Sequence, residues 1–301
     1  MVRSKIVAGF VFLLNASCSG GGGSTDPGLI DPGGQDAAID PGKPDTASDP
    51  GTPSDPGTPF DAAPSKDSRI LFLHHSTGEV VFNGGVPAWF DQYNQSKGTQ
   101  YTIEERAFPS GDPYPWDNYP YDYWNIWVNH AGQDPYLTEP TLEILTADHE
   151  MIVFKHCFPV SHVEEDSGAP DVTSDVKTQE NYKAQYEALK SKLHGFPKTL
   201  FLVWTGAALT RNETNPQEAE RARQFFEWVK TVWDEPSDNI FVFDFRNLET
   251  DGGLYLPDDR AAAPDDSHPN DAFAKKVAPK FGQRIVDVLE GRGDSGSLTG
   301  D

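Results

Sequence analysis

The fold is decided by one stretch, RILFLHHSTG, which covers residues 69–78. Its first six residues, 69–74, form a largely apolar run without clean polar alternation, which is typical of a strand buried on both faces. Runs of the same kind, rich in Ile, Val, Phe and Leu, recur later in the chain. They lie at 101–107, 151–155, 199–204 and 239–243. Together these runs predict a mostly parallel sheet of about five strands.

Three segments with helical periodicity alternate with the later strands. Apolar residues recur at helical spacing in 179–193, 216–233 and 271–289. An alternating order of strands and helices with a final helix predicts an α/β fold, a three-layer α/β/α sandwich. Ligands bind such sheets outside the carboxyl ends of the strands, so polar residues that follow a strand are the first candidates for a functional site.

A serine follows the first predicted strand directly. At the carboxyl end of a strand and the start of a helix, Ser76 would meet the positive end of the helix dipole and free backbone N–H groups. This position favours an attacking alkoxide, and the N–H of Ser76 itself can bind an oxyanion. The alternative is structural, because serine is also a common N-cap of helices.

The second candidate stretch, DDSHPN at residues 265–270, lies just ahead of the last predicted helix. A histidine that acts as general base needs one free ring nitrogen and an acceptor that holds the other. Asp265, three residues before His268, can supply that acceptor on the same loop. The alternative is that Asp266 or Ser267 simply caps the helix that follows.

Ser76 after the first strand, with an Asp-x-x-His pattern formed by Asp265 and His268, resembles the SGNH (GDSL-type) hydrolase superfamily in order and spacing. The resemblance implies an SGNH/flavodoxin-like fold, Ser76 as nucleophile, His268 as general base and Asp265 as the residue that orients the histidine. It implies a serine esterase that needs no cofactor, with Asp266 as a cap or surface residue. An α/β-hydrolase would share the chain order, but its Gly-x-Ser-x-Gly elbow is absent because position 74 is His74.

The blocks that supply oxyanion donors depart from the family's pattern. Two histidines, His74 and His75, precede the serine where the family usually has Gly-Asp. The N–H of Ser76 is the first candidate oxyanion donor, and Gly111 stands at a suitable place to supply the second. The run after the third strand contains no asparagine, and His156 is the candidate replacement. Two alternative functions follow: a surface glycan-binding module that has lost turnover, and an O-acyltransferase that uses the same triad.

Residues 109–136 break the strand–helix order with many Tyr and Trp among Asp, Pro and Asn. Such aromatics can stack on sugar rings, and Trp116, Tyr123 and Trp124 are then candidate substrate-binding residues. The alternative is an insertion that packs over the sheet as a satellite core.

The beginning of the chain resembles an export signal. Arg3 and Lys5 precede an apolar run, and Cys18 resembles the cysteine to which bacterial lipoproteins attach lipid. Secretion without lipid is the alternative. A segment with repeated Asp-Pro-Gly follows and predicts a disordered tether. The predicted organisation is a signal at 1–18, the tether at 19–68, a hydrolase domain at 69–292 and a disordered tail at 293–301.

Composition limits the partners. The 301 residues carry a formal net charge of -23, which argues against nucleic acid or an anionic membrane surface. Membrane contact is expected only through lipid on Cys18, which places the chain in the cell envelope. Cys157 is then the only free thiol of the chain and is expected to be buried and structural. No histidine spacing supports a metal site. The expected partner is an acylated glycan or small ester, and a monomer is favoured.

Overall fold

The structure is a computed structural model that describes residues 66–115 and 117–301. The predicted signal, Cys18 and the predicted tether up to residue 65 lie outside the described residues, as does Trp116. Among the described helices, none has the length and apolar character needed to cross a membrane.

Five parallel strands form the central sheet, in the order β2-β1-β3-β4-β5. They are β1 (Asp67–His74), β2 (Gln100–Ala107), β3 (Met151–Phe154), β4 (Leu200–Trp204) and β5 (Ile240–Phe243). The predicted three-layer α/β/α fold with a parallel sheet of about five strands is confirmed. The chain runs from β1 out to β2 and then returns to the other side of β1, so the carboxyl ends of β1 and β3 flank a topological switch point, where such sheets bind ligands.

Helices cover both faces of the sheet. They are α1 (Thr77–Asn83), α2 (Val86–Lys97), α3 (Pro120–Trp124), α4 (Leu142–Leu145), α5 (Gln179–His194), α6 (Pro216–Trp228), α7 (Phe245–Thr250) and α8 (Asp271–Leu289). A π-helical turn, Asn125–Asn129, continues α3, another, Val229–Trp233, continues α6, and Phe158–Ser161 forms a 3₁₀ turn. A two-stranded antiparallel hairpin, which the sequence did not predict, joins β6 (Ala261–Ala263) to β7 (Asp266–Pro269) just before α8.

Alternate residues of β1, β3, β4 and β5 enter two separate cores, because successive side chains of a strand point to opposite faces. On one face, Phe72 packs against Trp204 and against Phe281 of α8, with ring centroids 5.1 and 4.9 Å apart. On the other face, Phe154 packs against Tyr123 of α3 at 5.1 Å. This double burial is the reason why these four strands lack polar alternation. The edge strand β2, predicted to be buried on both faces, has Tyr101 as its one buried residue.

The domain extends beyond its predicted boundaries at both ends. Asp67 and Ser68, assigned to the tether, pair with β2 as the first residues of β1. The prediction of a disordered tail at 293–301 is wrong. Arg284, buried in α8, donates to the Gly293 carbonyl at 2.7 Å, and the N–H of Asp244 donates to the Leu298 carbonyl at 2.8 Å. Both contacts are made to backbone carbonyls of residues 293–301, so the polar side chains of this segment give no sign that it is ordered.

Candidate active site

Ser76 lies between the carboxyl end of β1 and the start of α1. Its backbone has φ 54° and ψ -104°, a conformation that residues other than glycine rarely adopt and that costs about 1–3 kcal/mol. Within the described residues its side chain makes no capping hydrogen bond to α1. Its hydroxyl is instead hydrogen-bonded to His268 Nε2. The structure therefore favours a reactive serine over a helix cap.

The other nitrogen of the histidine is held by Asp266. His268 Nδ1 lies 2.5 Å from Asp266 Oδ1, and the same oxygen accepts the His268 N–H at 3.0 Å. Burial alone would raise the pKa of Asp266, but the hydrogen bonds from the amide and ring of His268 outweigh it and lower the pKa below its ordinary value. Asp266 is therefore an ionised acceptor, which fixes the tautomer with the proton on Nδ1 and leaves Nε2 to accept from the serine.

The prediction that Asp265 holds His268 is wrong, and the hairpin gives the reason. Residues two apart in a strand share a face, so Asp266 and His268 of β7 point to the same side. Asp265 precedes the strand and is exposed. The sequence predicts a loop at this place, and in a loop a spacing of three residues is as plausible as a spacing of two.

The proposed capping role of Asp266 or Ser267 is also wrong, because Asn270 caps α8. Its side-chain oxygen accepts the N–H of Phe273 at 2.9 Å. Ser267 is buried and serves as an anchor instead. It accepts the N–H of Thr210 at 2.8 Å, while its own N–H and hydroxyl both donate to the Glu213 carboxylate, the former at 2.9 Å. The hairpin that carries His268 is thus fixed to the loop after β4.

The loop after β2 lies beside the serine. His75 Nε2 donates to the Pro109 carbonyl at 2.5 Å, and the N–H of Phe108 donates to the His74 carbonyl at 3.2 Å. Burial lowers the pKa of His75, which favours the neutral ring that donates here. Gly111, the predicted second oxyanion donor, lies in this loop with φ 103°, where another residue would be strained. His75, left without a role by the sequence, therefore ties the Ser76 and Gly111 loops together.

The side chain of His74, the last residue of β1, has a packing role. Its Nε2 donates to Glu105 at 2.8 Å, and burial, followed by the charge of Lys155, lowers its pKa to about 3. A Cβ on Gly78 would lie 2.5 Å from His74 Cβ, so only glycine lets α1 approach β1 this closely. This contact positions the helix that follows Ser76.

The predicted oxyanion role of His156 is wrong. The ring is fully buried, its Nε2 is hydrogen-bonded to the hydroxyl of Tyr186 at 2.7 Å, and it packs edge-on against Tyr123 at 4.8 Å. Burial lowers its pKa well below the ordinary value. His156 follows Phe154 by two residues and contacts it, so it shares the face that packs on α5.

Two buried polar residues that the sequence reasoning missed approach the same loops. Lys155 Nζ reaches the His75 carbonyl at 3.4 Å. The side chain of Asn118 donates to the Phe108 carbonyl and accepts the N–H of Cys157 at 2.6 Å. For Lys155 the sequence does contain a signal, because a lysine at the end of an apolar strand is unusual. Asn118 lies in the aromatic insertion, where asparagine reads as an ordinary loop residue.

The aromatic insertion is mainly a packing element. Tyr123 is fully buried and its hydroxyl donates to the Lys155 carbonyl at 2.9 Å, while Trp124 belongs to the same core. The predicted substrate-binding role is therefore wrong for these two residues, because a substrate cannot reach side chains that the core encloses. Trp116 lies outside the described residues.

Within residues 66–115 and 117–301, no group of three or more His, Cys, Asp or Glu is arranged to hold a metal ion. Cys157 is a free thiol and is buried.

The comparison with solved structures finds a crystal structure of an acetyl xylan esterase, AlAXEase. The match has a TM-score of 0.45 and 16% sequence identity, and it covers 71% of this chain and 97% of that chain. A likeness of this degree carries no functional inference. No protein-family model matches the sequence, and no curated protein matches it.

Proposed function

We propose that this chain is a serine hydrolase that cleaves carboxylic esters through an acyl-enzyme. The observation that carries the proposal is the continuous set of contacts from Ser76 Oγ to His268 Nε2 and from His268 Nδ1 to Asp266. It joins a nucleophile, a base and an orienting carboxylate from two ends of the chain. The SGNH-type resemblance of the sequence supports the same chemistry.

The proposed reaction uses each of these groups in turn. Ser76 Oγ bonds to the ester carbonyl carbon while His268 Nε2 takes its proton, and ionised Asp266 stabilises the imidazolium. The imidazolium returns the proton to the departing alkoxide as the C–O bond breaks, which leaves Ser76 acylated. Water then repeats the sequence with His268 as base, so that the acid is released and the serine hydroxyl is restored.

The oxyanion of each tetrahedral intermediate is assigned to backbone N–H groups of Ser76 and Gly111. The hydrogen bond from His75 to Pro109 supports this assignment, because it ties the two loops together. Donors held by a rigid backbone need no reorganisation during the reaction, which is the basis of their catalytic effect.

The substrate class and location are also part of the proposal. The SGNH-type resemblance favours removal of acyl, especially acetyl, groups from a carbohydrate or a small ester. The export-like start and the lipobox-like Cys18 favour a site in the cell envelope, either lipid-anchored or secreted. An O-acyltransferase would use the same triad, with a sugar or alcohol in place of water as the acyl acceptor.

Labelling with a fluorophosphonate probe tests the proposal. The wild type is expected to be labelled, Ser76→Ala to lose all labelling, and His268→Ala to be labelled at least about a hundredfold more slowly. Ser110→Ala is a matched control, since Ser110 is an exposed serine on the neighbouring loop, bonded to Glu139. Turnover of p-nitrophenyl acetate, with and without an added alcohol, then separates hydrolysis from transfer.

The result that contradicts the proposal is a folded wild type that is neither labelled nor active on acetyl esters. Retention of that protein on acetylated glycan would favour the alternative, a surface binding module that has lost turnover. The observation behind this alternative is the absence of asparagine in the run after β3 and the burial of His156 away from the serine.

A further inference from the structure

A buried lysine lies behind the nucleophile. Lys155 follows β3 directly and is fully buried. Its backbone is fixed on both sides, because its N–H donates to the Leu73 carbonyl at 3.1 Å and its carbonyl accepts the hydroxyl of Tyr123 at 2.9 Å. Its side chain reaches toward the end of β1, where Nζ donates to the His75 carbonyl at 3.4 Å.

The acceptor of this bond is significant because the peptide group that contains the His75 carbonyl also carries the Ser76 N–H. The His75 carbonyl and the Ser76 N–H belong to one planar amide. A hydrogen bond to the oxygen of an amide draws electron density from its nitrogen and makes the N–H a stronger donor. The Ser76 N–H is the first of the two donors assigned to the oxyanion.

We propose that Lys155 is a positioning residue of the oxyanion hole. Its ammonium group holds the His75–Ser76 peptide through the His75 carbonyl and strengthens the Ser76 N–H as a hydrogen-bond donor. This inference rests on the proposed function. It assigns a task to the strand end where the sequence lacks the oxyanion asparagine of SGNH-type hydrolases. Lys155 acts there from behind the peptide, without contact to the substrate.

The burial of the lysine supports a specific role. Removing an ammonium group from water is costly unless charges and hydrogen bonds compensate. Burial lowers the pKa of Lys155, and the electrostatic interactions with Cys157 and Glu249 oppose that shift. Glu249 is itself fully buried, with Oε2 accepting the N–H of Ala208 at 2.7 Å. A methionine of similar length would fill this space without the cost, so stability alone does not account for a lysine.

The strained backbone of Ser76 gives the hydrogen bond a second effect. A residue at φ 54° and ψ -104° persists only when its surroundings hold it. Lys155 Nζ and the Gly78 N–H both donate to the carbonyl before Ser76, at 3.4 and 3.0 Å, and the imidazole of His75 holds the same loop through Pro109. Loss of the lysine should therefore affect the reaction step more than the affinity for the ester.

The test compares Lys155→Met with Lys155→Gln, using p-nitrophenyl acetate for kcat and KM and thermal unfolding for stability. Methionine keeps the length and removes the donor, whereas glutamine keeps an uncharged donor. We expect Lys155→Met to lower kcat between about tenfold and a hundredfold, with KM within about twofold and the unfolding temperature unchanged or raised. Lys155→Gln should recover part of the loss. If the methionine variant does not fold, the glutamine variant decides, with a reduced kcat in folded protein as the expected result.

Lys190→Met is the matched control. Lys190 is a similarly buried lysine on α5 whose Nζ bonds to Glu235 at 2.8 Å, and its loss should leave kcat unchanged. A folded Lys155→Met with kcat within about twofold of the wild type would overturn the inference and leave the proposed function standing. A wild type without turnover would remove both. A parallel fall of kcat and unfolding temperature in Lys155→Met would show a merely structural lysine, which also overturns the inference.

Discussion

Ser76 stands on a loop backed by buried groups, whereas the side chains of His268 and Asp266 reach solvent and are 38% and 47% exposed. The serine loop is held from behind by Lys155 and from the side by His75. The histidine and its carboxylate depend on the geometry of a short hairpin. We call the Ser76 loop the buried half of the proposed triad and the hairpin that carries Asp266 and His268 its open half. Interior packing holds the buried half, whereas strand geometry and the Ser267 contacts to the loop after β4 hold the open half.

The largest effect that sharpens this comparison is expected from one carboxylate of the open half, Asp266. Asp266→Asn keeps the shape but removes the ionised acceptor, so it should lower kcat/KM about a hundredfold. The loss should be smaller than for a buried triad acid, because solvent screens an exposed pair. Measurement of kcat/KM for p-nitrophenyl acetate checks this.

Asp265→Asn is the control, since Asp265 is exposed, lies one position earlier and carries the same charge. It should leave kcat/KM within about twofold of the wild type. Equal losses in the two variants would mean that net charge on the loop matters and not the contact to His268 Nδ1, and would contradict the assignment of Asp266.

The fold could be predicted from the sequence because four of the five strands of the sheet are buried on both faces. Double burial leaves a strong mark, short runs of large apolar residues, and each of the five strands was located within two residues of its observed bounds. The hairpin Ala261–Pro269 left no such mark. Its strands are three and four residues long and hold only small or polar side chains, apart from proline and His268.

The same contrast explains which site residues could be predicted. Ser76 and His268 stand next to strong elements, β1 and α8, so their positions followed from the fold. The choice between Asp265 and Asp266 depends on whether residues 265–268 are extended, which the sequence does not reveal. The place of His156 could not be predicted because the sequence does not show on which face of the sheet a side chain just after β3 lies. Lys155 is visible in the sequence as a lysine at the end of an apolar strand, but its contact with the His75 carbonyl depends on the path of the loop after β1.

The next effect is smaller and concerns the buried half, where His74 makes the free energy of unfolding depend on pH. Burial, followed by the charge of Lys155, lowers the pKa of His74 from 6.5 to about 3. Between these two pH values the unfolded chain therefore binds a proton that the folded chain does not. The contribution of neutral His74 to the free energy of unfolding is fully present above pH 6.5 and is lost as the pH falls toward 3. At pH 5 the loss from this residue is about 2 kcal/mol.

His74→Gln tests this contribution, because glutamine can still donate to Glu105 and does not titrate. The free energies of unfolding of the wild type and the variant, measured by urea denaturation at pH 7.5 and pH 5, should converge by about 2 kcal/mol at the lower pH. A constant difference between the two proteins at both pH values would show that His74 takes up its proton alike in the folded and unfolded states, with the Glu105 carboxylate at 2.8 Å offsetting the effect of burial.

The smallest effect concerns the contact between Glu213 and the buried Ser267 of the hairpin. Glu213 accepts the N–H and the hydroxyl of Ser267, the residue between Asp266 and His268. Glu213→Ala leaves the buried N–H of Ser267 without this acceptor and should lower kcat about tenfold at nearly constant KM, because His268 is then aimed less well at Ser76. Glu213→Gln retains an acceptor oxygen and should restore most of the activity. If glutamine fails to rescue while the protein stays folded, the charge of Glu213 is what matters, and the hairpin is then held by electrostatics in spite of the solvent around it. If alanine has no effect, the geometry of β7 and the hydrogen bond from the Thr210 N–H to Ser267 hold the acid–base pair without Glu213.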